Sequence, residues 1–206
     1  ASDWSSDVCS SDLKQLVRQY AFSASEAVLK DANAGMGILQ EEDRGKKQGT
    51  TLAILGIQKK RAYVANVGDS RVYLLREGEW KQLSVDHSMV NEMVLAGRMT
   101  TEQARTAAGK NVITRFVGMN PAQLPPDFVY FAPDMTLRKG DRFILCSDGL
   151  SDMLSAERMR EMAMSESDSM KCSEKLVAAA LEMGGKDNTT CVTVDWGEFR
   201  TAKARK

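Results

Sequence analysis

The spacing of apolar residues changes several times along the chain, and each change marks a different kind of predicted element. From Leu13 to Val28, apolar side chains recur every three or four positions, which is typical of an amphipathic helix. Further on, short apolar runs rich in β-branched residues predict strands. These strands are expected at residues 50–58, 62–67, 71–76, 80–83, 128–131, 142–147 and 189–195, with a shorter candidate at 113–117.

Most of these runs are continuously apolar, which indicates strands that are covered on both faces. The first four follow one another closely and are predicted to form a meander. Two later segments, residues 155–164 and 173–183, return to helical spacing. Runs of strands interrupted by helices favour an α+β layered sandwich over a βαβ alternation.

The segment after the fourth strand is predicted to be helical at residues 84–97, with Gly97 ending the helix. Its apolar residues are expected to face inward: Val90, Met93, Val94 and Leu95. Thr100 and Gln103 have the spacing of a capping box, so a further short helix should begin there.

The ends of the chain differ in composition from its centre. Residues 1–12 are mostly Ser and Asp, and we expect a disordered or non-native tail. Ser11 or Asp12 is the N-cap candidate for the helix that begins at Leu13. Residues 13–197 are then one partial domain, and residues 198–206 are a polar, basic tail.

Charge and cysteine content narrow the function classes. The 28 basic and 28 acidic residues give a net charge of zero, so nucleic acid and anionic membranes are not expected partners. The sequence has no apolar run of membrane-spanning length. Its four cysteines lack zinc-site spacing, and Cys146 and Cys191 lie in apolar runs, so we expect reduced thiols and a cytoplasmic location.

Three short acidic loops adjoin apolar runs. Asp69 follows the second predicted strand, Asp148 follows the strand at 142–147, and Asp187 precedes the last strand. Carboxylates gathered at one edge of a sheet repel each other unless a cation or protons lie between them. Aspartate oxygens suit a hard cation such as Mg2+ or Mn2+, so the loops indicate a metal-dependent hydrolase.

Metal binding is not the only role open to these residues. Each aspartate taken singly fits a turn better than a metal site, since Asp, Asn and Gly all favour turns, and it is the occurrence of all three beside apolar strands that favours a metal. Asp152 lies four residues after Asp148 and either shares its face of a helix or caps the helix near Ser155. The single histidine, His87, is expected to be polar or half-buried at a helix start, and no nucleophile-elbow or phosphate-loop motif occurs in the sequence.

Taken together, the motifs resemble the PPM-type (type 2C) metal-dependent protein Ser/Thr phosphatases in their compact bacterial form. The matching stretches follow the family order: residues 49–52, 67–74, 86–88, 140–152 and 186–190. The resemblance implies an αββα sandwich of two mainly antiparallel sheets flanked by helix pairs. It also implies that residues 86–110 form a flap beside the site.

By matching motif, Asp148 and Asp187 resemble the family's core metal ligands. Asp69 resembles a ligand of the additional third ion of bacterial members, and Asp152 and Gly149 are further candidates. The implied cofactors are two Mn2+ or Mg2+ ions and this third one, which activate a water for attack on phosphorus.

The motifs of the family's N-terminal strands have no counterpart in this sequence. They carry the phosphate-binding Arg, the metal-bridging Asp and a His proposed as general acid, so no catalytic residue is assigned here. We expect a phosphatase fold that lacks its first strands. The implied function is hydrolysis of phosphoserine and phosphothreonine in the protein substrates of a Ser/Thr kinase. Two alternatives stay open: a non-catalytic, pseudophosphatase-like binding or regulatory module on the same fold, and a hydrolase of small phosphoesters.

Overall fold

The computed structural model describes residues 10–34 and 49–201, which form six α-helices and eight strands. The helices are α1 (Ser10–Ala34), α2 (Met89–Leu95), α3 (Thr101–Thr106), α4 (Asp148–Ser151), α5 (Ala156–Ser165) and α6 (Ser169–Glu182). The strands are β1 (Leu52–Gln58), β2 (Arg61–Val67), β3 (Arg71–Arg76), β4 (Glu79–Gln82), β5 (Tyr130–Phe131), β6 (Met135–Thr136), β7 (Asp141–Cys146) and β8 (Cys191–Trp196). Residues 1–9 of the predicted N-terminal tail, residues 202–206 of the predicted C-terminal tail and residues 35–48 lie outside the described residues.

The strands form two antiparallel sheets. In the first sheet, β1 pairs with one edge of β2, and β5 and β6 both pair with β2. The second sheet has the order β4-β3-β7-β8. Arg71 is opposite Cys146, and Cys146 is opposite Cys191. The start of β3, the end of β7 and the start of β8 therefore lie at the same end of the second sheet.

Alternate side chains of the central strands enter different layers of the core. Val72 and Leu74 of β3 pack between the two sheets, whereas Leu75 packs toward α5 and α6. On the other side of the molecule, Ala65 and Val67 of β2 pack against α1. The layer order is α1, first sheet, second sheet and the α5–α6 pair, so the predicted αββα sandwich is confirmed. The continuously apolar runs reflect this burial on both faces.

The turn between β2 and β3 carries the chain from one sheet to the other, so the predicted four-strand meander is wrong. Gly68 in this turn has a φ of 95°. A Cβ at this position would lie 2.4 Å from Cγ2 of Thr51, so both the backbone conformation and the packing require glycine.

The segment between the sheets is less helical than predicted. Residues 84–88 are not helical, and α2 begins only after Ser88, whose side chain accepts a hydrogen bond from the backbone of Asn91. Val90 is buried as expected, but Met93 and Leu95 are exposed, because α2 packs on α3 and beside a cleft.

Two other expectations for this part of the chain have different outcomes. The capping box of Thr100 and Gln103 is confirmed at the start of α3. Residues 113–117 form no strand and contribute only two isolated bridges, Ser88 to Ile113 and Thr50 to Val117.

At the N-terminal side the helix α1, and at the C-terminal side the core, extend past the predicted boundaries at residues 13 and 197. Ser11 and Asp12, the predicted N-cap candidates, lie within α1, because the helix begins at Ser10. Phe199 is buried, with the Arg142 guanidinium 3.7 Å from the centroid of its ring.

None of the helices in the described residues combines the length and the apolar character that crossing a membrane requires.

Candidate metal centre

Three acidic loops meet where β3 starts, β7 ends and β8 starts. Asp69 lies in the turn that enters β3, Asp148 follows β7, and Asp187 precedes β8. The antiparallel register brings these three strand ends to one edge of the second sheet. The topology therefore gathers the aspartates that the sequence analysis singled out.

Asp69 is half-buried beside a second acid. Burial and the negative charge of Asp148 raise the pKa of its carboxyl to about 6. The nearby Arg71 guanidinium offers limited compensation because it is engaged with Asp86, with Nη2 to Oδ2 at 2.6 Å and Nε to Oδ1 at 3.1 Å. A carboxylate in this environment would be stabilised by a bound cation.

Asp148 begins the short helix α4. Burial raises the pKa of its carboxyl, the Gly149 N–H bonded to Oδ1 at 2.9 Å lowers it, and the charges of Asp187 and Asp152 raise it again. Asp152 lies one helical turn later, at the C-cap of α4. Ser155 caps α5 with its own side chain, so the structure favours the shared-face alternative for Asp152.

The Asp187 loop is fastened to α4 at close range. Thr189 Oγ1 donates to the Gly149 carbonyl at 3.2 Å, and Ser147 Oγ donates to the Asn188 carbonyl at 3.0 Å. A Cβ on Gly149 would lie 2.5 Å from the Asn188 carbonyl oxygen. Only glycine therefore allows the two loops to approach this closely.

The acids form a chain of neighbours centred on Asp148. Its charge raises the pKa of Asp69, and Asp187 and Asp152 raise its own pKa. Within residues 10–34 and 49–201, however, no three His, Cys, Asp or Glu side chains converge closely enough to hold a metal ion. The carboxylates fit Mn2+ or Mg2+ in donor chemistry, but in number they supply only part of a set of about six oxygen ligands.

Two residues that sequence reasoning does not assign to the site, His87 and Asn66, fasten the Asp69 turn. The Gly68 N–H donates to His87 Nδ1 at 3.1 Å, and the His87 N–H donates to the Gly68 carbonyl at 3.0 Å. Asn66 exchanges two hydrogen bonds with the backbone of Val85, at 2.8 and 3.2 Å. A polar residue inside an apolar strand is the one signal that points to Asn66.

His87 differs from its predicted environment. It is 5% exposed and lies before the N-cap of α2, neither half-buried nor at a helix start. Burial and the positive charge of Arg115 lower the pKa of its imidazole to about 4. His87 is therefore neutral near pH 7, and Nδ1 is free to accept the Gly68 N–H.

A cleft of about 740 Å3 opens beside Asp69 and Asp148. One wall is formed by the flap, which contains α2 and α3, and the other is formed by α4 and the start of α5, with β3 and β4 between them. Lys110 of the flap spans the cleft, and its Nζ lies 2.8 Å from Oδ2 of Asp152. This half-exposed ion pair joins the two walls next to the aspartates.

Comparison with known proteins finds the same family for most of the chain. The profile of the protein phosphatase 2C family matches residues 3–93 and 115–189. Protein phosphatase PhpP of Streptococcus pneumoniae is 38% identical over 160 residues, covering 78% of this chain and 63% of PhpP. Serine/threonine protein phosphatase PstP of Mycobacterium tuberculosis is 36% identical over 150 residues, covering 71% of this chain and 27% of PstP. The chain thus spans less than two thirds of the length of these curated relatives.

Solved structures give the same result for the fold. The crystal structure of M. tuberculosis PstP/Ppp superposes with a TM-score of 0.74 at 30% identity, covering 91% of this chain and 72% of that one. Stp1 from Staphylococcus aureus gives 0.78 at 25% identity, with 92% and 70% covered. The catalytic domain of PstP in complex with two manganese ions gives 0.68 at 31% identity, with 84% and 67% covered.

Proposed function

This chain belongs to the protein phosphatase 2C family, and from that premise we propose that it hydrolyses phosphoserine and phosphothreonine in proteins. The observation that carries the proposal is the group of neighbouring aspartates around Asp148 at one end of a large cleft. Its relatives include the protein phosphatase PhpP and the serine/threonine protein phosphatase PstP. Its substrates would be proteins phosphorylated by a Ser/Thr kinase.

In this proposal, Asp148 and Asp187 hold core Mn2+ or Mg2+ ions, and Asp69 joins Asp148 around a third. Gly149, through its carbonyl, and Asp152 are further candidate ligands. A related PstP structure contains two manganese ions, which supports the choice of metal. Bound there, divalent ions supply an activated water and neutralise phosphate charge.

The chain's own side chains would prepare this end of the cleft. His87 and Asn66 hold the turn that carries Asp69, so this carboxylate is in position before a cation or substrate arrives. Lys110 offsets the charge of Asp152 at the rim, which lowers the repulsion that a phosphate dianion would meet.

We also propose a cytoplasmic location. The three cysteines within the described residues, Cys146, Cys172 and Cys191, are free thiols, which suits a reducing compartment. The balanced net charge gives no reason to add nucleic acid or an anionic membrane as a partner.

A Mn2+-dependent assay on a phosphothreonine peptide tests the function. Asp148→Asn should lower turnover by more than the roughly 10–100-fold typical of losing an outer-sphere partner of a metal. Asp127→Asn is the matched control, because this aspartate is exposed and outside the cleft. Turnover that ignores Mn2+ and survives Asp148→Asn would refute the proposed function.

A second candidate is a non-catalytic, pseudophosphatase-like binding or regulatory module. It is favoured by the lack of three converging metal-ligating side chains within the described residues. Titration calorimetry with Mn2+, together with a phosphate-release assay, separates the two candidates. The binding module predicts a folded chain that has no micromolar Mn2+ site and releases no phosphate. The enzyme predicts a micromolar Mn2+ site and phosphate release.

A further inference from the structure

The cleft beside Asp148 is larger than one phosphorylated side chain needs. Its volume of about 740 Å3 lies within the range of roughly 300–1,000 Å3 that is typical of pockets for drug-sized ligands. Asp69 and Asp148 line it at the strand ends, and Asp152 lines it at the end of α4. The rest of its lining includes aromatic and aliphatic side chains from both walls and from the strands between them: Trp80, Val90, Val94, Met153, Leu154 and Met159.

The register of the second sheet separates Trp80 from the acidic end, whereas Met153 follows Asp152 directly in the chain and lies beside that end. Trp80 of β4 is opposite Leu75 of β3, whereas Asp69 precedes Arg71 at the start of β3. From Arg71 to Leu75 the strand advances roughly 13 Å, at about 3.3 Å per residue. An extended peptide needs about four residues to cover that distance.

The two basic side chains that line the cleft, Arg71 and Lys110, are engaged near its acidic end. Arg71 forms a two-pronged pair with Asp86, and Lys110 pairs with Asp152. The apolar region combines Trp80, which stacks on Tyr73 with ring centroids 4.8 Å apart, with aliphatic side chains from both walls. A charged guest side chain would lose its hydration there and find poor compensation, whereas an apolar one would bury its surface.

We propose that this apolar region is a substrate subsite, which takes a hydrophobic side chain of a phosphoprotein three to five residues from the phosphorylated Ser or Thr. The inference rests on the proposed function, because it requires a phosphorylated residue at the aspartates. Continuity of the cleft between the two regions fixes the occupant as the same extended peptide. The chain would then select its substrates by an apolar residue at a distance from the phosphate.

Binding of labelled peptides tests the subsite without depending on turnover. The peptides carry a non-hydrolysable phosphonate in place of phosphothreonine and one Leu or Lys placed three, four or five residues to either side. Fluorescence anisotropy with Mn2+ present gives the dissociation constants. The protein variants are Val94→Asp, which places a carboxylate in the apolar region, and Met93→Asp, which places one on the adjacent residue outside the cleft.

At one position, the unmodified chain should bind the Leu peptide about tenfold more tightly than the Lys peptide, because burial of a Leu side chain is worth at least about 1.4 kcal/mol. Val94→Asp should abolish or reverse this ratio, and Met93→Asp should preserve it, with circular dichroism verifying that both variants are folded. Equal binding of Leu and Lys peptides at every position, no measurable binding, or equal ratios in the two variants would overturn the subsite.

Phosphate release from the hydrolysable peptides is measured in parallel and tests the proposed function separately. A chain that keeps the Leu preference but releases no phosphate retains the subsite and refutes the phosphatase. A chain that releases phosphate without any preference refutes only the subsite.

Discussion

Replacing His87 with asparagine should make the stability of the domain less sensitive to acid. In the structure, Nδ1 of the neutral imidazole accepts the N–H of Gly68, next to Asp69. Asparagine places an amide oxygen at the corresponding distance along the side chain, so it can accept the same N–H but cannot be protonated in this range. The variant therefore keeps the contact and removes the titration.

The size of the effect follows from the two pKa values of His87. Burial and the charge of Arg115 lower the pKa from 6.5 to about 4 in the folded state. Below pH 6.5 the unfolded chain binds the proton first, so this contribution to stability is lost as the pH falls from about 6.5 to about 4. Between pH 7 and pH 5, the loss should be about 2 kcal/mol, from the proton linkage of a single group.

Asp69 works in the opposite direction, because its pKa of about 6 makes the folded state hold the proton more tightly than the unfolded state. Its contribution to stability is present at low pH and is lost as the pH rises from about 4 to about 6. This term is common to the parent chain and to His87→Asn. It cancels when the two proteins are compared at each pH.

Urea denaturation with EDTA present, followed by circular dichroism at pH 7 and pH 5, measures the difference. His87→Ala serves as the second variant: it leaves the buried Gly68 N–H without its acceptor and should lose about 1–3 kcal/mol even at pH 7. The reasoning is refuted if His87→Asn and the parent chain lose the same stability on acidification. It is also refuted if His87→Asn is as unstable as His87→Ala at pH 7.

Three further predictions follow from the turn, the flap and the acids. Gly68→Ala should lower the free energy of unfolding by more than about 2 kcal/mol, because it adds a steric clash to an unfavourable φ. Gly97→Ala is the control, since Gly97 also has a positive φ but lies in open space, and it should cost only about 1–2 kcal/mol. Equal losses of stability in thermal unfolding would contradict this. Lys110→Ala should change the free energy of unfolding by less than about 1 kcal/mol, because the ion pair between Lys110 and Asp152 is partly exposed. Limited proteolysis should nevertheless cut the flap faster in this variant, and an unchanged cleavage rate would count against the contact. Mn2+ should bind up to about tenfold more weakly for each pH unit below 6, because a proton then competes with the metal for the Asp69 carboxylate. In titration calorimetry, Asp69→Asn should flatten the dependence of Mn2+ affinity on pH. A steep dependence in that variant would mean that another group binds the competing proton.

Local patterns predict the central strands well and their partners poorly. The strand predicted at residues 71–76 matches β3, because both of its faces are buried and the apolar run is uninterrupted. The turn at Gly68 has the composition of a hairpin, yet it joins two different sheets. What decides between these outcomes is the pairing of β3 with β7, about 70 residues later in the chain, which periodicity cannot reveal.

The candidate site shows the same limit. Asp148 and Asp187 are recognisable because each adjoins an apolar strand, and the register of β7 and β8 brings them together. His87 becomes part of the site only through its bonds to Gly68, 19 residues earlier in the chain, which no local pattern predicts. Leu95 is predicted to face inward but is exposed, because α2 borders a cleft instead of a sheet.

The buried guanidinium beneath Phe199 makes the two walls of the cleft unequal in their dynamics. Arg142 is 0% exposed, and its guanidinium donates to both carboxylate oxygens of Asp195 and to three backbone carbonyls at and just beyond the end of α5. These carbonyls belong to Ala163, Glu166 and Ser167, and every donor–acceptor distance is 3.1 Å or less. Opening α5 alone would remove three carbonyl acceptors and leave this buried charge with the Asp195 carboxylate, so α5 and the sheet should exchange their amide protons as one slow cooperative unit. The flap, joined to the opposite wall by a partly exposed ion pair, should exchange first. Peptides would therefore enter and leave by movement of one wall against a fixed one.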